Sequence, residues 1–312
     1  MEEHTVETED GYILTVYRIP YGLNKTDSTK PRPALLLQHG LLCSSACWVL
    51  SEPQKGLAFV LADAGYDVWI GNNRGNTYSR KHKTLDPDDP FDKQQFWNFS
   101  FHELGYYDLA ATIDFMLNYT GQSKAYYVGH SQGTTSFFVL ASTRPEYNDK
   151  IIVSSQLAPV AFPDDTRGPI HVLCSFTKVI SWFADHLGIY EVLSNNFILD
   201  LLDASLCRKT AVTRPICDNI LFLIAGYDSQ QLNVSLVEII GKHCPAGAST
   251  KQFEHYGQLA SNGGKFRQFD YGLDNERIYG TNEPPEYDLS KINKPYSITI
   301  SGNNDWLSGI QD

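Results

Sequence analysis

The sequence predicts an α/β protein in which helices flank a mostly parallel β-sheet and a helical cap is inserted between two parts of the core. Apolar strand-sized runs alternate with helical patterns through the first half of the chain, which is the rhythm of parallel sheets. A Gly-x-Ser-x-Gly pentapeptide, Gly129–Gly133, lies at one strand-to-helix junction. From about position 162 the alternation stops and a helix-like region rich in large apolar residues begins. Together these observations indicate one core with one insertion.

The first elements predict an antiparallel hairpin followed by buried parallel strands. Two β-rich runs, Thr5–Glu9 and Ile13–Arg18, flank the turn signal Asp10-Gly11. The run Ala34–Gln38 is apolar up to its last residue, which is typical of a strand buried on both faces. Further strands are predicted at Tyr66–Ile70, Ala125–Val128, Ile151–Gln156 and Tyr296–Ser301, with helices at Leu57–Ala64, Tyr106–Leu117 and Gly133–Ser142.

The apolar region after the core strands is interpreted as a cap. Its large apolar residues include Phe176, Ile180, Trp182, Phe183, Leu187, Tyr190, Phe197 and Leu201. Such a surface can bind acyl chains, although helices packing on one another account for most of these residues equally well. We expect the core to comprise residues 1–161 and 291–312, incomplete at both ends, and the cap to comprise residues 162–290.

Charge and hydropathy exclude several classes of function. With 25 basic and 36 acidic residues, the net charge is -11, which opposes binding to nucleic acid. No apolar run approaches the roughly 20 residues that span a bilayer, so no transmembrane segment is expected. The first residues contain neither a basic nor an apolar stretch of the kind found in secretory signals.

The cysteines and glycosylation sequons bear on the compartment. Six cysteines match no zinc-site spacing, and we expect no metal and no cofactor. Cys207 and Cys217 are ten residues apart, a spacing compatible with a disulfide or with two free buried thiols. Four Asn-x-Ser/Thr sequons favour a secretory route, at Asn24, Asn98, Asn118 and Asn233.

The pentapeptide around Ser131 predicts a nucleophilic serine. A sharp turn between strand and helix forces the serine backbone into a strained conformation and brings neighbouring chain too close for a Cβ, which explains the two glycines. The amide of Gln132 begins the following helix, where an oxyanion would develop. The second oxyanion donor is expected to be the amide of Leu41, in the loop after the strand that ends at Gln38.

The remaining catalytic roles are only partly filled. Asp305 follows a late strand and is expected to orient an imidazole. No histidine follows Asp305, so the general base is missing. His130 adjoins the serine but is expected to point elsewhere, and His39 is expected to shape the oxyanion loop.

By these residues the chain resembles the animal acid lipases, the α/β-hydrolase family of gastric and lysosomal acid lipases. The likeness spans essentially the whole chain. It is carried by Glu9–Leu14, Leu37–Leu42, Leu61–Trp69, Phe96–Phe101, Tyr107-Asp108, Ile113–Phe115, Gly129–Thr134, Gly264–Phe266 and Gly302–Asp305.

The resemblance implies a triad of Ser131, Asp305 and a later histidine, with oxyanion donors at Leu41 and Gln132. It also implies a Cys207–Cys217 disulfide, a secreted or lysosomal glycoprotein, and a neutral lipid ester substrate met transiently at a lipid surface. Family members carry a signal peptide and continue to the catalytic histidine, so we expect this chain to be a fragment, a splice form or an incomplete gene model. The leading hypothesis is a triacylglycerol or sterol ester lipase. The alternatives are a catalytically impaired product that binds lipid and an esterase of short acyl chains.

Overall fold

The computed structural model describes residues 1–23, 31–162, 186–192, 236–302 and 305. The strands are β1 (Glu2–Glu7), β2 (Tyr12–Ile19), β3 (Ala34–Gln38), β4 (Asp67–Ile70), β5 (Lys81–His82), β6 (Ala125–His130), β7 (Ile151–Leu157), β8 (Glu191–Val192), β9 (Ala248–Ser249) and β10 (Tyr296–Ile300). The α-helices are α1 (Leu57–Asp63), α2 (Lys93–Phe96), α3 (Phe101–Glu103), α4 (Ala110–Thr120), α5 (Gln132–Thr143), α6 (Val237–His243), α7 (Thr250–Ser261) and α8 (Asn275–Tyr279). A π-helical turn, Leu104–Leu109, joins α3 to α4.

The main sheet has the strand order β1-β2-β4-β3-β6-β7-β10, with β5 paired to β2. The strands from β4 to β10 in this order run parallel to their neighbours, whereas β1, β2 and β5 form antiparallel pairs. The predicted mostly parallel sheet with an antiparallel opening is therefore confirmed. Carboxyl ends of parallel strands meet at one edge, so the loops after β3, β4, β6 and β10 emerge at the same edge.

The first strand of the opening hairpin ends at Glu7, two residues before the predicted end at Glu9. The paired register ends at Glu7 opposite Ile13. Thr8 then begins the turn, because its hydroxyl accepts a hydrogen bond from the amide of Tyr12 at 2.9 Å. Gly11 takes φ +96°, a conformation that suits glycine. Side-chain hydrogen bonding of this kind competes with strand pairing and ends the ladder.

The core lies on both faces of the sheet, as alternation along the strands dictates. In β3, Leu36 faces a cluster that includes Ile113 of α4 and Phe137 of α5. Its neighbours Leu35 and Leu37 face the opposite cluster, which contains residues of α1. All five residues of β3 are buried, as its apolar run predicts. Helices on both faces are the doubly wound arrangement.

A buried ion cluster holds the loop after β4 in place. Arg74 is 2% exposed and its guanidinium binds Asp108 at 2.6 Å and Asp10 at 2.5 Å. The amide of Arg74 also donates to Asp108, at 2.9 Å. A buried cation with two carboxylates costs desolvation but leaves few alternative positions for the loop, because separating the pair would leave a buried charge unpaired.

Most of the expected cap lies outside the described residues, including the aromatic residues from Phe176 to Trp182 and the pair Phe197 and Leu201. The division into residues 1–161, 162–290 and 291–312 therefore stays a prediction. Among the residues described, Leu259, Phe266 and Tyr287 join the same apolar cluster as the core residue Phe101. In the described ranges no helix combines the length and the apolar character needed to cross a membrane.

Candidate active site

Ser131 occupies a strained turn between β6 and α5. Its φ of 50° and ψ of -118° lie outside the regions that non-glycine residues favour. A Cβ added to Gly133 would lie 2.5 Å from the carbonyl oxygen of Gln38, and one added to Gly129 would lie 2.9 Å from the backbone of Gly133. Both glycines are therefore required by close backbone approach, as the motif predicts.

The loop after β3 packs directly against this turn. A Cβ added to Gly40 would lie 3.0 Å from Cβ of Ser131 and 3.1 Å from Nδ1 of His130. Leu41 is the next residue of this loop. Its amide donates no hydrogen bond to any residue that the structure describes. The amide of Gln132 is in the first turn of α5, where helices leave their amides without an intrahelical partner.

His39 fixes the orientation of the peptide between Gly40 and Leu41. Its Nδ1 lies 2.8 Å from the carbonyl oxygen of Gly40, which also accepts the amide of Cys43 at 3.1 Å. Its Nε2 lies 3.1 Å from the amide nitrogen of Asn73. A carbonyl only accepts and an amide only donates, so the ring is neutral with its proton on Nδ1. Burial lowers the pKa of His39 to about 4, which favours this neutral form.

The loop after β4 supplies the polar groups around His39, and sequence reasoning did not assign them a role. Asn76 Nδ2 lies 3.2 Å from Nε2 of His39, and Asn73 Oδ1 accepts from Gln38 Nε2 at 2.6 Å. Asn72 in turn accepts the amide of Ser45 at 2.8 Å. The signal was the Asn-Asn pair after β4, because loops that follow adjacent parallel strands meet at one edge of the sheet.

Asp305 lies in the loop that follows β10. Its amide donates to the carbonyl of Gly302 at 3.1 Å, closing a turn. β7 alone separates β10 from β6, the strand that leads to Ser131. Burial lowers the pKa of His130, while the negative charge of Asp305 opposes that shift, so the carboxylate lies within electrostatic range of the nucleophile turn.

His130 has the structural surroundings that its position predicts. It is enclosed by Gly40 and by Trp48, whose ring lies edge-on at 6.4 Å between centroids. Among the residues that the structure describes, no imidazole forms a hydrogen bond with Oγ of Ser131. The site therefore presents a half-buried Ser131 side chain against Gly40 of the neighbouring loop, with the Asp305 carboxylate in electrostatic range of His130.

The structure describes some of the predicted glycosylation sites but not the predicted disulfide. Asn98 and Asn118 are exposed, as glycosylation would require. Asn24, Asn233, Cys207 and Cys217 lie outside the described residues.

Comparison with known families places the chain among the α/β hydrolases. The family described as a partial alpha/beta-hydrolase lipase region matches residues 1–52. The alpha/beta hydrolase fold matches residues 33–172, which include β3, β6, α5 and Ser131. The predicted α/β-hydrolase fold is thereby confirmed.

Individual relatives of the chain are lipases. The chain is 42% identical to gastric triacylglycerol lipase of Rattus norvegicus, covering 100% of this chain and 77% of the relative. It is 44% identical to Lipase 3 of Drosophila melanogaster, covering 100% and 78%. It is 41% identical to lysosomal acid lipase/cholesteryl ester hydrolase of Macaca fascicularis, covering 100% and 76%. The chain belongs to the animal acid lipase family, whose members are carboxylic ester hydrolases.

Proposed function

We propose that this lipase hydrolyses neutral lipid esters, triacylglycerols or sterol esters, through an acyl-enzyme on Ser131. The observation that carries the proposal is the strained turn that holds Ser131, with φ 50°, against Gly40 of the neighbouring loop. The names of the gastric triacylglycerol lipase and of the lysosomal acid lipase/cholesteryl ester hydrolase support these two substrate classes.

The reaction divides into two acyl transfers. Oγ of Ser131 attacks the ester carbonyl carbon and loses its proton to a base, and the carbonyl oxygen becomes an oxyanion. The bond to the alcohol oxygen then breaks, and the alcohol leaves with that proton. Water attacks the acyl-serine in the same way and releases the fatty acid.

The oxyanion donors in this proposal are the amides of Leu41 and Gln132. In a trans peptide the N–H points opposite to the C=O. Because His39 and Cys43 both bind the Gly40 carbonyl, the Leu41 amide is turned away from them and left free to donate. Donors held in place before reaction are the largest electrostatic contribution to acyl transfer, each contributing about 10² to 10³ in kcat.

Asp305 is proposed to orient the imidazole that carries the proton. In such triads the carboxylate selects the tautomer and stabilises the imidazolium, while a histidine moves the proton. The described residues supply no imidazole to Ser131, so we assign this role to a histidine outside them. The same observation favours a second candidate, a folded product that binds lipid esters but turns them over slowly.

Location follows from the same family evidence. We propose a secreted or lysosomal glycoprotein that meets its substrate at a lipid surface, with a Cys207–Cys217 disulfide. The exposed Asn98 and Asn118 support glycosylation. Treatment of the protein from eukaryotic cells with an amidase that removes N-linked glycans should increase its gel mobility, and unchanged mobility would contradict glycosylation.

The function is tested by active-site labelling and hydrolysis with the full-length protein. A fluorophosphonate should label Ser131, and Ser131→Ala should lose labelling and reduce kcat by about 10⁴ to 10⁶. Ser123→Ala, at an exposed position, is the matched control. Emulsified trioleoylglycerol and cholesteryl oleate should be hydrolysed faster than p-nitrophenyl butyrate. A folded protein that resists labelling yet binds the emulsion would support the second candidate, and full activity in Ser131→Ala would refute the first.

A further inference from the structure

Two cysteines distant in sequence meet beside the oxyanion loop. Sγ of Cys43 lies 3.5 Å from Sγ of Cys244, although the two residues are 201 positions apart in the sequence. Cys43 follows Leu41 and Leu42, and Cys244 follows directly after α6, which ends at His243. Neither residue matches a motif that the proposed lipase reaction uses.

The backbone around the two thiols is already joined. The amide of Ala246 donates to the carbonyl of Leu42 at 2.7 Å, and Sγ of Cys244 lies 3.3 Å from the same oxygen. The carbonyl of Ala246 accepts the amide of Thr77 at 2.8 Å. Hydrogen bonds therefore align the two segments independently of sulfur chemistry, and a bond between the sulfurs would require little backbone movement.

The geometry favours a cross-link over a metal site. In the part of the chain that the structure describes, no three ligating side chains converge as a metal requires. A disulfide requires about 2.05 Å between sulfurs, so the observed separation must close by about 1.5 Å, within reach of side-chain rotation. Cys47 is the third thiol near Cys43 and the competing partner.

We propose that Cys43 and Cys244 form a disulfide that ties the oxyanion loop to the segment Cys244–Ala246 of the predicted cap region. The oxidant is a small-molecule disulfide such as oxidised glutathione. The two thiols lose two protons and two electrons as the S–S bond forms, and the glutathione disulfide is cleaved to two glutathione thiols. The inference concerns this cross-link alone and holds whether or not Ser131 is the nucleophile.

The consequence is a second restraint on the peptide beside Ser131. Without the bond, the hydrogen bonds to the Leu42 carbonyl and the contact of α6 with the turn Ser45–Trp48 hold the loop to this segment. A cross-link that closes a 201-residue loop restricts the unfolded chain strongly, so it should raise the melting temperature by up to about 10 °C.

The test is to refold the full chain in glutathione redox buffers, alkylate the free thiols and map the cysteines by mass spectrometry without reduction. Refolding is needed because a hydrogen bond to Cys43 and burial raise the pKa of the Cys244 thiol, which makes exchange in the folded state slow. A linked peptide pair containing Cys43 and Cys244 is the expected result. Alkylation of both thiols, or linkage of Cys43 to Cys47 or to any other cysteine, would overturn the proposal.

Stability measurements on variants provide an independent readout. Cys43→Ser, Cys244→Ser and the double variant should all lower the melting temperature of the oxidised protein by the same amount, because each removes the same bond. Cys47→Ser is the matched control and should keep both the linkage and most of the stability. Additive losses in the double variant would indicate two separate packing effects and would count against a disulfide.

Discussion

His39 offers a test of whether the orientation of one peptide controls catalysis. Its two ring nitrogens form different hydrogen bonds: Nδ1 donates to the carbonyl of Gly40, and Nε2 accepts from the amide of Asn73. The side-chain amide of Asn reaches the position of Nδ1 and that of Gln reaches Nε2. His39→Asn therefore retains the donor to the Gly40 carbonyl, whereas His39→Gln retains the acceptor for the Asn73 amide.

The two substitutions are expected to affect different quantities: His39→Gln lowers kcat, and His39→Asn lowers the free energy of unfolding. In His39→Gln the Gly40 carbonyl keeps only the Cys43 amide, so the oxyanion peptide is free to rotate and kcat should fall about 10- to 100-fold, part of the contribution of one oxyanion donor. KM should change little, because the oxyanion exists only in the transition state. In His39→Asn the buried Asn73 amide loses its acceptor, which should cost about 1 to 3 kcal/mol of unfolding free energy.

The assay measures kcat and KM for hydrolysis of a p-nitrophenyl ester and, separately, the free energy of unfolding in urea, for the full-length protein and both variants. We expect His39→Gln to be the less active variant and His39→Asn the less stable one. Equal losses of kcat in the two variants, or a loss of kcat that follows stability, would refute the positioning argument and leave His39 as a packing residue.

Other predictions concern unfolding free energies measured in urea. Gly133→Ala should cost about 3 kcal/mol, because its Cβ would lie 2.5 Å from a backbone oxygen, whereas Gly241→Ala meets no atom within 4 Å and should be neutral or stabilising. Asp108→Ala leaves a buried guanidinium underpaired and should cost about 3 to 5 kcal/mol, against less than about 0.5 for the exposed Glu52→Ala. Burial lowers the pKa of His255 from 6.5 to about 3. Between these two pH values the unfolded chain binds a proton that the folded chain does not, so the free energy of unfolding decreases as the pH is lowered from 6.5 to 3. His255→Gln should flatten this loss, and an unchanged pH profile would contradict it.

The core strands were predictable because their short, continuous apolar runs are typical of strands buried inside a parallel sheet. Ala34–Gln38 is buried at every position in the structure, as expected for a strand that is covered by helices on both faces. Helix boundaries were less accurate. The predicted start at Tyr106 falls inside a π-helical turn, Leu104–Leu109, whose irregular hydrogen bonding has no signature in apolar periodicity.

The site shows the same division between local and non-local information. The turn at Ser131 was predictable because its cause is local: a strained residue needs glycines on either side where chain segments approach closely. The hydrogen bonds of His39 were not predictable, because they join the loops after β3 and β4. His39 and Asn73, which one of these bonds connects, are 34 positions apart in the sequence. Sequence patterns identify which residue types are strained or buried, whereas the partner of a buried polar group depends on which loops the sheet brings together. The position of the unassigned asparagines after β4 follows from strand order, and the Cys43–Cys244 contact follows from the packing of the segment after α6 on the loop after β3. Local patterns encode neither.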